Sequence, residues 1–204
     1  MYKIIELFSG NADITKRINQ ETDLKCFSCD YEPKYNANLI CDVYKLTDQF
    51  FKNFDFIWLS PDCTTYSIAS HGIHRSAGGV PKSEYAKYCD QMNEKLINKL
   101  IELDIPFIIE NPRGHFRNMN FIKKVIYQTT VYYSSYGLPY AKPTDLFSNR
   151  PIEMYFNTKI KNTHVRLDRV ISNSSDFLGR CKMPALLIED IIVAIKEILK
   201  NERR

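Results

Sequence analysis

No apolar run in this chain of 204 residues approaches the roughly 18 that a membrane-spanning helix needs, so a helical membrane protein is not expected. Glycine is scarce, at seven residues, and none forms a G-x-G-x-x-G fingerprint. No phosphate-loop lysine follows a Gly-rich turn either, which disfavours nucleoside triphosphate binding. Histidine is scarcer still, with four. His71 and His74 have no third partner that would complete a metal site, and neither stands as an obvious base for a Cys–His hydrolase. They read as loop or substrate contacts. The opening stretch MYKIIELFSG lacks the basic region and long apolar core of a signal peptide and reads as a first strand. Cys26, Cys29, Cys41, Cys63, Cys89 and Cys181 fall at irregular spacing. A reduced, cytoplasmic setting is therefore expected rather than a disulfide scaffold. Cys26 and Cys29 form a C-x-x-C with no second pair, and packing inside a strand is their expected role.

What is present suits one domain. Apolar residues make up 44% of the chain and aromatics 13%, enough for a sizeable core. The net charge of +4 permits a polyanionic partner without demanding one. Most of that charge lies between Arg150 and Arg180, where Lys159, Lys161, Arg166 and Arg169 add to the two ends against Glu153, Asp168 and Asp176. This stretch is either a solvated basic surface or one that contacts phosphates.

Apolar bursts at YKIIELF, KCFSCDY, FDFIWLS and PFIIEN are short, bulky and closed by polar residues, as buried parallel strands are. Helix-compatible segments alternate with them. Residues 12–20 suit a short helix. Residues 85–103 carry a stripe of Cys89, Met92, Leu96, Leu100 and Leu103, and residues 185–199 one of Leu187, Ile188, Ile191, Ile195 and Leu199. The alternation predicts a doubly wound α/β sheet, in which ligands bind at the carboxyl ends of the strands. The unusual polar residues all fall there.

Gly10, after the first strand, allows a tight turn and a close approach to a ligand. Asp30 ends the second strand, where acids bind ribose hydroxyls in nucleotide-binding α/β folds, and Asp42 ends a further short apolar run. Together they suggest an adenosine-containing ligand without a triphosphate. Cys63 follows a Ser60-Pro61-Asp62 turn, in the polar, partly exposed kind of setting that an activated thiol needs. Glu110 ends PFIIE, where burial raises a carboxyl pKa and lets it donate a proton near neutral pH. A thiol and a protonated carboxyl in one cleft suit conjugate addition to an electron-poor ring.

These residues resemble the motifs of the cytosine carbon-5 DNA methyltransferases, especially the short versions carried by bacteriophages. ELFSG is similar to that family's first motif, SPDCTTYS to its Pro-Cys motif and IIENPRG to its Glu-Asn-Val motif. YGLPYAKPTDLFSN resembles the basic motif, and GRCKMPALLIEDI the last one. The resemblance spans essentially the whole chain in the family's order. It implies a Rossmann-like, S-adenosylmethionine-dependent fold and transfer of a methyl group to carbon 5 of cytosine. Phe8, Ser9, Gly10, Asp30, Asp42 and Pro61 would hold the cofactor, Cys63 would be the nucleophile, and Glu110 would engage cytosine N3. Ser67, Asn111, Arg113, Lys142 and Thr144 would contact the substrate, as would Arg75 and Lys82 from residues 69–83, which stand where the family has a mobile loop. DNA, double- or single-stranded, is the implied partner, and a restriction–modification role in a bacterial host's cytoplasm the implied setting.

The sequence departs from the family in four places. Asp62 stands for the Pro before the nucleophile, and Pro112 for the Val after Glu-Asn. Lys142 and Thr144 occupy the two Arg positions of the basic motif, and Arg180 replaces the Asn of the last motif. The interval that carries target recognition in the family is short here, about residues 150–178 of a single domain spanning 1–204. Low or short sequence specificity follows, or a partner protein that supplies it. Two other readings stay open: an enzyme acting on RNA or on an exocyclic amine, and a degenerate, non-catalytic binder of DNA or protein.

Overall fold

The computed structural model describes residues 1–70, 72–156 and 182–203. The chain runs β1 (Tyr2–Leu7), α1 (Asp13–Ile18), β2 (Leu24–Asp30), β3 (Leu39–Ile40), α2 (Asp48–Phe51), β4 (Phe56–Leu59), α3 (Glu84–Leu103), β5 (Phe107–Pro112), β6 (Tyr127–Val131), β7 (Thr144–Ser148) and α4 (Ala185–Asn201). Seven strands form one sheet in the order β3-β2-β1-β4-β5-β7-β6. β1 to β5 pair in parallel, and β7 runs against both its neighbours. The expected doubly wound, mostly parallel α/β sheet is the observed one. Its order reverses between β1 and β4, which opens a crevice at their carboxyl ends.

Period-two alternation sorts the core onto two faces. Ile4, Phe56, Trp58 and Ile108 face α1 and α4. Ile5, Leu7, Ile57, Leu59 and Ile109 face the side covered by α3. The predicted stripe of α4 is buried throughout. That of α3 is turned slightly: Met92 and Leu103 are only partly covered, while Ala86, Asn93 and Ile97 are buried. α3 starts where Ser83 Oγ accepts from Ala86 N at 3.1 Å, an N-cap of the usual kind. Among the described residues no helix is long and apolar enough to cross a membrane.

Cys26 and Cys29 are both buried in β2. Cys26 Sγ lies 3.2 Å from Thr15 Oγ1, and Cys29 Sγ 3.5 Å from Cys41 Sγ. Asp190 on α4 is fully buried and accepts three hydrogen bonds, from Tyr136 OH at 2.8 Å, Tyr155 N at 2.9 Å and Phe156 N at 3.1 Å. Most of the basic stretch and the 150–178 recognition segment, together with His71, Arg180 and Cys181, lie outside the described residues. Arg150 lies within them, and it pairs with Glu202 at 2.7 Å and Asp104 at 2.9 Å.

Helix α1 has Ala12 at its N-cap, which offers no side-chain acceptor. Glu6, buried on β1, fills that role by accepting from Thr15 N at 2.8 Å. Burial pushes the Glu6 carboxyl up to about 7, against the pull of the Thr15 bonds. The folded protein therefore keeps a proton on Glu6 that the unfolded chain has already lost between about pH 4.5 and 7. Its contribution is whole below that window and is lost as pH rises through it, in total about 3 kcal/mol. Glu6→Gln should remove this component, so urea denaturation at pH 5 and pH 8 should show a smaller fall in stability for the variant than for the wild type.

Candidate active site

The crevice begins with an unusual backbone. Phe8, Gly10 and Ala12 are all left-handed, with φ of 56°, 47° and 54°. For the two non-glycines this costs about 1 kcal/mol each. Ser9 N donates to Cys29 O at 3.1 Å and Gly10 N to Asp30 Oδ2 at 2.8 Å, so β2 holds the turn in place. Nothing lies within 4 Å of where a Cβ on Gly10 would stand, so the turn opens onto free space. Ser9 Oγ is buried beside it with no hydrogen-bond partner, a cost of about 1–3 kcal/mol that a polar ligand would remove. Asp30 is buried, and its second oxygen accepts from Glu32 N at 3.0 Å. Carboxylate oxygens have lone pairs to spare after one bond each. Asp42 Oδ1 accepts from Tyr44 N at 3.0 Å, and the Tyr44 ring stands 5.4 Å from Phe8 and 6.3 Å from Tyr88. An open turn, an orphaned hydroxyl, two acids and an aromatic wall fit an adenosine-bearing cofactor with a charged amino-acid end.

The second half of the site is the turn after β4. Pro61 is buried, and its carbonyl accepts from Asn111 Nδ2 at 3.0 Å. Cys63 is partly exposed, and its carbonyl accepts from Tyr66 N at 3.0 Å and Ser67 N at 2.9 Å. Asp62 explains its own presence. Its Oδ1 accepts from Thr64 N at 3.0 Å and Thr64 Oγ1 at 2.6 Å, and its Oδ2 from Tyr85 OH at 2.7 Å. Asp62 thus ties the Cys63 turn to the first turn of α3.

Glu110 stands on β5 beside this turn. Burial raises its carboxyl above the usual range, while the Lys142 charge and a hydrogen bond from Ser60 hold it down. Lys142, with φ of 28°, places Nζ 4.7 Å from the Tyr133 ring centroid. Asn111 is buried with its Oδ1 unpartnered. Arg113 is exposed, and its backbone N donates to Pro143 O at 2.9 Å. Gly114 is a residue that the sequence reading passed over. A Cβ there would stand 2.4 Å from Tyr66 O, so only glycine lets the β5 exit lie against the Cys63 turn. His115 N then donates to the same carbonyl at 2.8 Å. The signal was the glycine closing IIENPRG.

Three expected substrate residues are placed elsewhere. Arg75 does not meet phosphates. It is fully buried, its guanidinium bonded to Asp90 at 2.6 and 3.0 Å, to Thr65 O at 2.7 Å and to Gly79 O at 3.0 Å, and stacked 4.4 Å from the Tyr66 ring centroid. Instead of a free flap, the described part of residues 69–83 is folded around this buried cation. Lys82 Nζ is used within it, donating to Gly72 O at 3.1 Å. Thr144 is not a donor to the cleft either. It is fully buried on β7, with its hydroxyl donating to Lys142 O at 3.2 Å.

No family model and no curated protein matches the chain. Among solved structures it is similar to the Entamoeba histolytica methyltransferase EhMeth, at 14% identity and a TM-score of 0.54 over 75% of this chain and 54% of that one. Weaker overlaps are with a prophage-encoded E. coli protein proposed to be a DNA modification methyltransferase (19% identity, TM-score 0.48, 72% and 46% covered) and an antibiotic-related methyltransferase (9%, 0.47, 72% and 87%). The chain spans about half the length of the first two. Strand order, the reversed β7 and the likeness to EhMeth define a Rossmann-like fold of the methyltransferase type.

Removing one partner of a buried ion pair strands the other. Arg75→Ala should therefore lower stability by roughly 3 kcal/mol in urea denaturation, and Arg75→Lys, which cannot make the bidentate contact, should recover only part of it.

Proposed function

We propose that this chain transfers a methyl group from S-adenosylmethionine to carbon 5 of cytosine in DNA. The observation that carries the reading is the placement of Cys63 and Glu110 at the ends of adjacent parallel strands, one strand from the Gly10–Asp30 turn. S-adenosylmethionine supplies an electrophilic methyl group when bound. Ser9, Gly10 and Asp30 would hold it, with Asp42, Phe8 and Pro61 around its nucleoside. The Cys63 thiolate adds to carbon 6 of the ring, and Glu110 hydrogen-bonds or protonates N3. The electrons displaced towards the ring make carbon 5 nucleophilic enough to take the methyl group. Loss of the carbon 5 proton then expels Cys63 and restores the ring. Asn111 holds the Pro61 carbonyl and with it the turn that presents the thiol, while Arg113, Lys142 and Ser67 remain the candidate substrate contacts. The target cytosine has to leave its base stack to reach a thiol in a crevice.

A second reading, a methyltransferase fold kept for binding, draws on Thr144. It stands where the family has a charged donor to the base, and it is buried.

Transfer of labelled methyl to mixed-sequence DNA, single- and double-stranded, tests the proposal. Label should appear on carbon 5 of cytosine with the wild type and vanish with Cys63→Ser. Glu110→Gln should slow transfer by about 10²–10⁴-fold, the usual worth of a general acid. Because the Glu110 pKa is raised, activity should persist above the pH at which an ordinary glutamate ionises and fall as Glu110 loses its proton. Methyl transfer that survives Cys63→Ser would sink the mechanism. Asp30→Ala should weaken S-adenosylmethionine binding about tenfold or more in calorimetry, since a lost hydrogen bond to a charged group costs about 1.5–3 kcal/mol.

A further inference from the structure

The proposed mechanism uses one thiol, Cys63, and leaves a pair of thiols beneath the other half of the crevice unused. Cys29 Sγ and Cys41 Sγ stand 3.5 Å apart, in direct contact. Cys29 is fully buried near the end of β2, and Cys41 is half-buried just beyond β3. Each thiol directly precedes one of the two acids of the cofactor half, Asp30 and Asp42. Their backbones belong to that half as well. Cys29 O accepts from Ser9 N in the Gly10 turn at 3.1 Å, and Cys41 N donates to Asp30 O at 3.0 Å. Burial, and then the neighbouring Cys41, push the Cys29 thiol up, so Cys29 stays protonated and leaves the more exposed Cys41 as the thiol that meets a solute.

We propose that Cys29 and Cys41 form a reversible oxidation site for hydrogen peroxide, which closes to a disulfide and thereby weakens cofactor binding in the crevice. The effect on the cofactor rests on the crevice taking S-adenosylmethionine. The Cys41 thiolate attacks one peroxide oxygen, the O–O bond breaks, and Cys41 becomes a sulfenic acid. The hydroxide that leaves takes up the proton Cys41 had lost. The Cys29 sulfur then attacks the Cys41 sulfur, the S–O bond breaks, and the departing oxygen carries off the Cys29 proton as water. Two thiols are oxidised to one disulfide, and one peroxide is reduced to two waters. A disulfide bond is about 2.05 Å long, so the sulfurs must close by about 1.5 Å. The side that yields is β3, a strand of two residues at the sheet edge with β2 as its one neighbour. Its exit carries Asp42, whose Oδ1 accepts from Tyr44 N, and the Tyr44 ring stands beside Phe8. Drawing Cys41 towards β2 therefore moves an acid and the aromatic wall of the cofactor half, while Asp30 keeps its hold on Gly10 N.

The test is peroxide treatment of the full chain, then alkylation of the remaining thiols and peptide mapping by mass spectrometry without reductant. A Cys29–Cys41 link that dithiothreitol reopens is expected in the wild type and in Cys63→Ser, which removes the partly exposed thiol of the other turn. In calorimetry on Cys63→Ser, oxidation should lower S-adenosylmethionine affinity about tenfold, as the loss of one hydrogen bond to a charged group does, and dithiothreitol should restore it. Adding Cys41→Ser, a conservative change at a half-buried site, should give one affinity with or without peroxide. Cys29→Ser should stop at the Cys41 sulfenic acid, which dimedone traps. No link between Cys29 and Cys41 after peroxide, or a link that leaves S-adenosylmethionine affinity unmoved, overturns the proposal. If the reduced protein binds no S-adenosylmethionine, the cofactor reading fails by itself, and the mapped link still decides whether the pair is an oxidation site.

Discussion

Four parallel strands end at one level because their ladders are in register. Leu7 sits opposite Cys29 on one side and Leu59 on the other, and Leu59 sits opposite Ile109. The next residues along are Phe8, Asp30, Ser60 and Glu110, so one line across the sheet holds the Gly turn, an acid, a hydroxyl and a second acid. Everything in the crevice depends on that line. A slip of one residue in any ladder would turn its side chains to the other face and drive a carboxylate into the apolar layer beneath α3 or α4. The bulk of Ile4, Ile5, Ile57 and Ile109, buried on alternate faces, is what makes such a slip prohibitive.

The same sheet buries acids where carboxylates are costly, and it treats them differently. Glu6 is given the amide of α1, which lacks a cap of its own. Asp190 receives three donors. Glu110 has less, a serine hydroxyl and the field of Lys142, and its carboxyl stays raised. Glu6 and Glu110, each short of donors for its burial, both keep raised carboxyls and can hold a proton where an ordinary glutamate has lost it.

The strands β1, β2, β4 and β5 are legible in the sequence because a strand covered on both faces is apolar throughout, and so are the polar residues that follow them. β6 and β7 are not, because their partners are distant. Thr144, Asp145 and Ser148 are polar yet buried, satisfied by Lys142 O, by Arg117 and Thr130, and by Phe107 O. Arg75 reads as a loop cation for the same reason: its burial depends on Asp90 and on the Tyr66 ring. Asn93 enters the buried face of α3 because Tyr44 and Tyr66 offer it hydroxyls from other elements. Side chains whose nature matches their surroundings can be read locally, whereas those held by a remote partner need the fold.

The Asp190 carboxylate has a consequence for how this architecture can change over time. It grips the chain at Tyr155 and Phe156 just before residue 157, and it sits in the helix that begins at Ala185. The chain on both sides of residues 157–181 is therefore moored to the same helix. Genetic exchange could replace that stretch with segments of other lengths and chemistries while the helix and the crevice strands it packs on keep their places.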